Sequence, residues 1–299
     1  MKTILKWTRR IALVLIALVI LAVAGIYVWS QPSLGRSFDV AAHPVDVPPD
    51  AVSIAEGTRL ARIRGCYDGC HGTGYEGDAS FEDGGLVSNL LFARLESPDL
   101  TRVASAYNDS EMERVIRHGV RPGGKSVIAM PSTMFQSLSD EDLGKILASI
   151  RSQPVGSGAE TYVRIGPMAR VLFMRGVFPL AADVIDHDAV HPAATPTDAA
   201  GLGRYLAYGV CTECHGDRLE GVPAAGPFPP TPPLAVVAGY SREQFGTLMK
   251  TGVPASGSEL GLMAEVARGR FSHFTEPEVD ALYGHLSDPA TWAPAGGSR

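Results

Sequence analysis

Little in this 299-residue chain reads as β-strand. Alternating β-branched and aromatic runs are scarce, which argues against a sheet protein, while apolar residues recur at three-and-four spacing around two short cysteine motifs. Charge is sparse too, at 19%, and glycine and proline are plentiful, at 33 and 22 residues. Short helices joined by long loops suit that composition, so the expected class is mainly α. The body of the chain also lacks a basic excess. Lys2, Lys6, Arg9 and Arg10 supply +4 towards a net charge of −6, so residues 31–299 carry −10. A surface of that sign argues against nucleic acid as a partner; it can steer a basic redox partner or simply keep the protein soluble. Cysteine is scarce as well: there are four, in two close pairs, with none left over. The length allows two domains of ordinary size, each with its own core.

What is present centres on those pairs. Cys211, Cys214 and His215 form a C-x-x-C-H motif, and Cys66, Cys70 and His71 repeat it with one extra residue between the thiols. Two sulfurs for thioether links to a porphyrin edge, and an imidazole for its iron, are what covalent c-type haem attachment requires. Taken alone, the longer motif also allows a disulfide between near neighbours, or a zinc site shared with the other motif. The duplication favours two covalently bound c-type haems.

Ile11 to Trp29 is a run of 19 residues without a charge, behind a basic cluster. That length suits a bilayer-spanning helix with its basic end cytoplasmic, which places the rest of the chain in the periplasm. A cleaved secretory signal is the competing reading, because Ala22-Val23-Ala24 resembles a cleavage site. The expected organisation is a membrane anchor over 1–30, a tether over 31–50, a first domain over 51–155, an inter-domain segment over 156–200 and a second domain over 201–292. In the first domain, helices are expected over Val52–Gly65 and Glu111–Arg117. Another should open at Ser139 as N-cap, with Leu143, Ile146, Leu147 and Ile150 as its buried stripe. Residues 72–110 read as loop. The segment Ile165–Ala182 is apolar but broken by Pro167, Arg170, Arg175 and Pro179, so it is a poor span and is expected to pack between the domains or lie on the membrane.

The second half repeats the plan of the first. Arg117-His118-Gly119-Val120 aligns with Lys250-Thr251-Gly252-Val253, and 11 residues beyond Gly119 and Gly252 stand Met130 and Met263. Thr275-Glu276-Pro277-Glu278 opens the last helix as a capping box, with Val279, Leu282 and Leu286 as its stripe. A duplication is the simplest cause. His71 and His215 are therefore candidate iron ligands on one side, and Met130 and Met263 on the other. A lone methionine in a helical protein is usually core packing. Met134 is the rival in the first half, but its counterpart is Ala267; the counterpart of His118 is Thr251. His273 and His285 read as surface or helix residues, and His43, His187 and His191 fall in connecting segments.

With Cys66 to Gly72, Ala129-Met130-Pro131-Ser132, Leu138 to Leu143 and Cys211 to Gly216 in place, the chain resembles the multihaem, membrane-associated cytochromes c of Gram-negative bacteria. These include cytochrome subunits of periplasmic alcohol and related dehydrogenases. The resemblance implies two small helical cytochrome c domains with His/Met ligation. Two departures stand out: the chain has two motifs where such subunits usually carry three haems, and Ala264 follows Met263 where Pro131 follows Met130. The function implied is electron transfer at the inner membrane rather than catalysis. The donor would be a dehydrogenase or quinol-linked complex, and the acceptor an oxidase or another cytochrome. A dihaem peroxidase is the alternative, and a haem-based sensor or structural subunit comes third.

Overall fold

Helices make up 58% of the computed structural model and strands 5%, so the class is mainly α. The structure describes residues 2–77, 80–81, 90–158, 161–224, 229–258 and 260–292. Helix α1 (Lys2–Leu34) carries the charge-free run, long and apolar enough to cross a membrane, and its apolar window is not buried against the rest of the chain. It continues past residue 30, which shortens the tether expected over 31–50.

Two hydrophobic cores follow. The first lies between α2 (Ala51–Ile63), α3 (Leu100–Ala106), α4 (Asp109–His118) and α5 (Asp140–Arg151). Asp50 caps α2 and Asn108 caps α4 with a capping box, so both helices start where a side chain satisfies the first free N–H groups. Ser139 caps α5 as expected, and Leu143, Ile146, Leu147 and Ile150 are all buried. Each such side chain contributes about 1.5–3 kcal/mol by leaving water. Gly57 of α2 sits against the backbone of α5, where a Cβ would come within 1.8 Å of the Lys145 carbonyl. Only glycine permits that crossing.

The second core repeats this arrangement. Helix α7 (Ala199–Leu206) crosses α10 (Glu276–Leu286), with α8 (Arg242–Thr251) and α9 (Leu262–Gly269) alongside. Gly203 is the crossing residue, and a Cβ there would meet the Ala281 carbonyl at 2.1 Å. The Thr275 capping box and the buried Val279, Leu282 and Leu286 are present. Both α4 and α8 end in a left-handed glycine, Gly119 and Gly252.

Three features depart from the sequence reading. Part of the stretch 72–110, expected as loop, is ordered: β1 (Ser80–Phe81) and β2 (Ala93–Glu96) form an antiparallel sheet with β3 (Tyr162–Ile165), and α3 follows. Residues 82–89 of that stretch lie outside the described residues. The segment after residue 160 does not wedge between the two cores. Its helix α6 (Pro167–Met174) packs on α1, where Arg170 reaches Ser30 Oγ at 2.8 Å and lies 4.1 Å from the Tyr27 ring. Residues 181–193 instead wrap the first unit: Ala182 packs with Val120 and Val40, and Pro192 O accepts from Asp140 N at 2.9 Å.

The two units meet over buried polar groups. Arg64, 3% exposed, donates to the Gly209 carbonyl at 2.5 Å and lies 5.2 Å from the Tyr205 ring. Asp142 accepts from Tyr205 Oη at 2.7 Å and from Thr195 Oγ1 at 2.8 Å. Arg59 joins Glu56 of its own helix to Glu278 of the second unit, both at 2.7 Å. Buried and partly buried charges with this many partners fix one mutual orientation.

Candidate cofactor-binding site

Each cysteine motif begins just after the first helix of its unit. In the second unit α7 passes through a wide turn, Ala207–Cys211, into a short helix, Thr212–His215, so the C-x-x-C-H residues follow one helical path. In the first unit the extra residue breaks that path. Tyr67 is extended, Asp68 is left-handed at φ 56° and Gly69 takes φ −130° and ψ −119°. Arg62 pins the resulting bulge, donating from Nε to Asp68 Oδ2 at 2.9 Å and lying 4.5 Å from the Tyr67 ring. Cys70 N still donates to Gly65 O at 2.8 Å. The longer spacing is thus absorbed locally.

The histidines are set alike. His71 Nδ1 donates to the Pro98 carbonyl at 3.0 Å, and His215 Nδ1 to the Pro232 carbonyl at 2.8 Å. A carbonyl only accepts, so each neutral ring carries its proton on Nδ1 and keeps the Nε2 lone pair, as metal-ligating histidines do. Burial depresses both pKa values, against the opposing pull of the carbonyl, and favours that neutral form. Gly77 N closes on His71 O at 2.8 Å and Gly221 N on His215 O at 2.9 Å, so the loop behind each ring is built the same way.

All four cysteines are free thiols. Burial, then the neighbouring cysteine, pushes Cys66 and Cys211 up to about 12. Burial, then Glu213, raises Cys70 and Cys214. Thiols held protonated are poor thiolate ligands. Among the described residues, the His, Cys and acidic side chains that converge closely enough to hold an ion are Glu113, His118 and His191, which does not support a zinc site joining the motifs.

One guanidinium opposes those upward shifts at all four thiols: Arg270. Its Nε donates to Ile63 O at 3.0 Å and its Nη1 to Glu213 Oε2 at 2.9 Å. The two motifs are therefore neighbours across a shared ion pair. Nothing in the sequence marked Arg270 or Glu213, because their role depends on how the units dock.

Met130 is partly buried and packs on the first core, as do Cys66 and Tyr67; Met263 packs on the second core, as does Cys211. Met134 and Ala267 are 3% and 0% exposed, which makes that repeat position one of core filling. The backbones of the paired methionines differ. Pro131 precedes the short helix Ser132–Phe135 and leaves Met130 outside it, whereas Met263 lies in the first turn of α9. His285 is 7% exposed, a helix histidine that is not on the surface. His187 and His191 both pack against His118, a cluster the sequence reading did not assemble.

Paired free thiols, a histidine with its Nε2 available and a thioether packed on the same core make a donor set that fits a covalently held metal porphyrin, in each unit. The chain is similar to cytochrome c subunits of dehydrogenases. It is 29% identical to the gluconate 2-dehydrogenase cytochrome c subunit of Pantoea cypripedii over 176 residues, covering 55% of this chain and 38% of that one. Over 281 residues it is 22% identical to the cytochrome c subunits of the quinone alcohol dehydrogenases of Gluconacetobacter polyoxogenes and Komagataeibacter europaeus, covering 84% of this chain and 59% of each. The chain therefore spans between 38% and 59% of the length of these relatives. No family model matches it.

Proposed function

We propose that this protein is a dihaem cytochrome c, anchored in the bacterial inner membrane by α1, that relays electrons in the periplasm and is not itself a catalyst. The observation that carries this reading is the repeated geometry: in both units the motif histidine donates a hydrogen bond from Nδ1 to a proline carbonyl and keeps Nε2 free, next to two half-buried thiols. Cys66, Cys70 and His71 would hold one haem and Cys211, Cys214 and His215 the other. Met130 and Met263 would supply the second iron ligands, and the thioether favours the reduced state. The haem iron supplies one-electron redox chemistry, and the polypeptide sets potential, spacing and docking. The names of the relatives support a dehydrogenase as electron donor. The length and apolarity of α1, behind a basic cluster, support an anchor with both units on the periplasmic side.

The test is a pyridine haemochrome assay with intact mass, on protein exported from a host with c-haem maturation. Two haems per chain are expected. One haem would mean that the Cys66 motif is not used, and colourless protein would overturn the reading.

A further inference from the structure

The cluster at His118 serves none of the roles above. Glu113 and His118 are 0% and 1% exposed, on adjacent turns of α4, and the connecting segment brings His187 and His191 onto them. The hydrogen bonds fix where the protons sit. His187 Nε2 lies 3.1 Å from the Ala182 carbonyl, which can only accept, so a neutral His187 donates there and accepts at Nδ1. His118 Nδ1, 3.0 Å from His187 Nδ1, must then be the donor of that pair. In neutral His118, Nε2 is then a bare lone pair. It is buried without a hydrogen-bond partner, 3.5 Å from Glu113 Oε1, itself an acceptor. His191 repeats the logic: Nδ1 donates to the Gln136 carbonyl at 2.8 Å, which leaves its Nε2 lone pair free.

With both histidines neutral, two imidazole lone pairs thus face a carboxylate, and the ligand atoms of the three residues all lie within 4.8 Å of one another. We infer that Glu113, His118 and His191 form a binding site for one divalent cation of the zinc class, separate from both cysteine motifs. Two imidazoles and a carboxylate are a Zn²⁺ donor set with a fourth position left for water. They are too poor in oxygen for Ca²⁺ or Mg²⁺. Ligands about 2.0–2.1 Å from a tetrahedral ion stand roughly 3.4 Å apart, so the 3.5 Å between His118 and Glu113 already fits. His191 has to close by no more than about 1.5 Å; it is half-buried on a connecting segment and can do so. His187 acts as a positioning residue, holding the tautomer of His118 as outer partners of metal ligands do. Other groups also face the site. Arg117 Nη1 lies 3.4 Å from Glu113 Oε1 and competes for it, but Arg117 Nη2 is engaged by Asp140 at 2.7 Å and by Leu138 O at 2.8 Å. His43 N donates to Glu113 Oε2 at 3.3 Å, so the ion would take Oε1 by displacing the long contact from Arg117 Nη1. The ion would staple the connecting segment to the first unit.

The test uses the full-length, haem-loaded protein stripped with a chelator and dialysed against Zn²⁺, with zinc and iron counted separately by mass spectrometry. Zinc K-edge absorption then reads the donors without interference from iron. One tightly held zinc per chain with nitrogen and oxygen donors is expected whatever the iron count, so failure here and failure of the haem reading are distinguishable. His191→Ala, on the connecting segment, should weaken zinc binding by at least tenfold. His187→Ala should weaken it by about 10–100-fold, as loss of an outer partner does. Absence of bound zinc, zinc held by sulfur, or zinc unaffected by His191→Ala would each overturn the site; the lone pair on His118 would then be closed by a proton shared with Glu113.

Discussion

Arg270 and Glu213 form an ion pair of 2.9 Å in the second unit, and that one pair biases the thiols of both cysteine motifs. The two side chains are 14% and 24% exposed, so the pair is only partly screened. A cation near an iron centre disfavours its oxidised, more positive state. Under the dihaem reading, Arg270→Met therefore lowers both reduction potentials together, and Glu213→Gln raises both. Partly buried charges at an effective dielectric of about 20 interact by on the order of 1 kcal/mol, or some tens of millivolts for one electron. Redox titration of the two variants checks this, and a shift confined to one haem would contradict a shared pair.

Gly57 and Gly203 make a matched experiment on the fold. Each lies where two helices cross with no room for a Cβ, at 1.8 and 2.1 Å from a carbonyl oxygen. Gly57→Ala and Gly203→Ala should each force the helices apart and destabilise by about 1–3 kcal/mol or more, whatever alanine gains in helix propensity. Denaturant unfolding followed by haem absorbance reads the loss. Unchanged stability in both variants would mean that the crossing relaxes freely.

Those glycines also show what the sequence made legible. The cysteine motifs, the caps at Ser139 and Thr275 and the apolar stripes behind them were readable because they depend on neighbours within about one helical turn. The pairing of Ala93 with Ile165 was not, since no local pattern joins strands some seventy residues apart. Gly57 and Gly203 precede the first cysteine of each motif by 9 and 8 residues, so the spacing alone does not align them, and their shared role shows only where the helices cross. The cluster of His118, His187 and His191 had no local signal either. Two of its members stand in a segment whose course is set by packing on the first unit.

Under the dihaem reading, the proposed ligands Met130 and Met263 separate from the rival Met134, and from Met249 as a core control, by potential. Met130→Ala and Met263→Ala should each lower the potential of one haem by on the order of 0.1 V, a fraction of the roughly 0.8 V over which axial ligands tune haem. Met134→Leu and Met249→Leu, at buried core positions, should leave both potentials in place and change stability by less than about 1.5 kcal/mol. A fall in potential on Met134→Leu that matched Met130→Ala would transfer the ligand role to Met134.

Asp99 links the motif histidine of the first unit, His71, to pH. It caps α3, accepting from Thr101 N at 2.8 Å, Thr101 Oγ1 at 2.6 Å and, through Oδ2, Gly158 N at 3.1 Å. The preceding residue, Pro98, presents the carbonyl that orients His71. Burial alone would raise the Asp99 pKa, but those donors outweigh it and hold the carboxyl below its ordinary 3.8. A carboxylate depressed in the folded state stabilises the fold above its unfolded pKa, and that contribution disappears as pH falls through the folded value. Asp99→Asn should therefore destabilise by about 1–2 kcal/mol at neutral pH, with the gap to the unsubstituted protein narrowing below about pH 4. Urea unfolding at pH 7 and pH 3 measures both gaps. Equal gaps at the two pH values would show that the carboxylate's charge has no part in holding this loop behind His71.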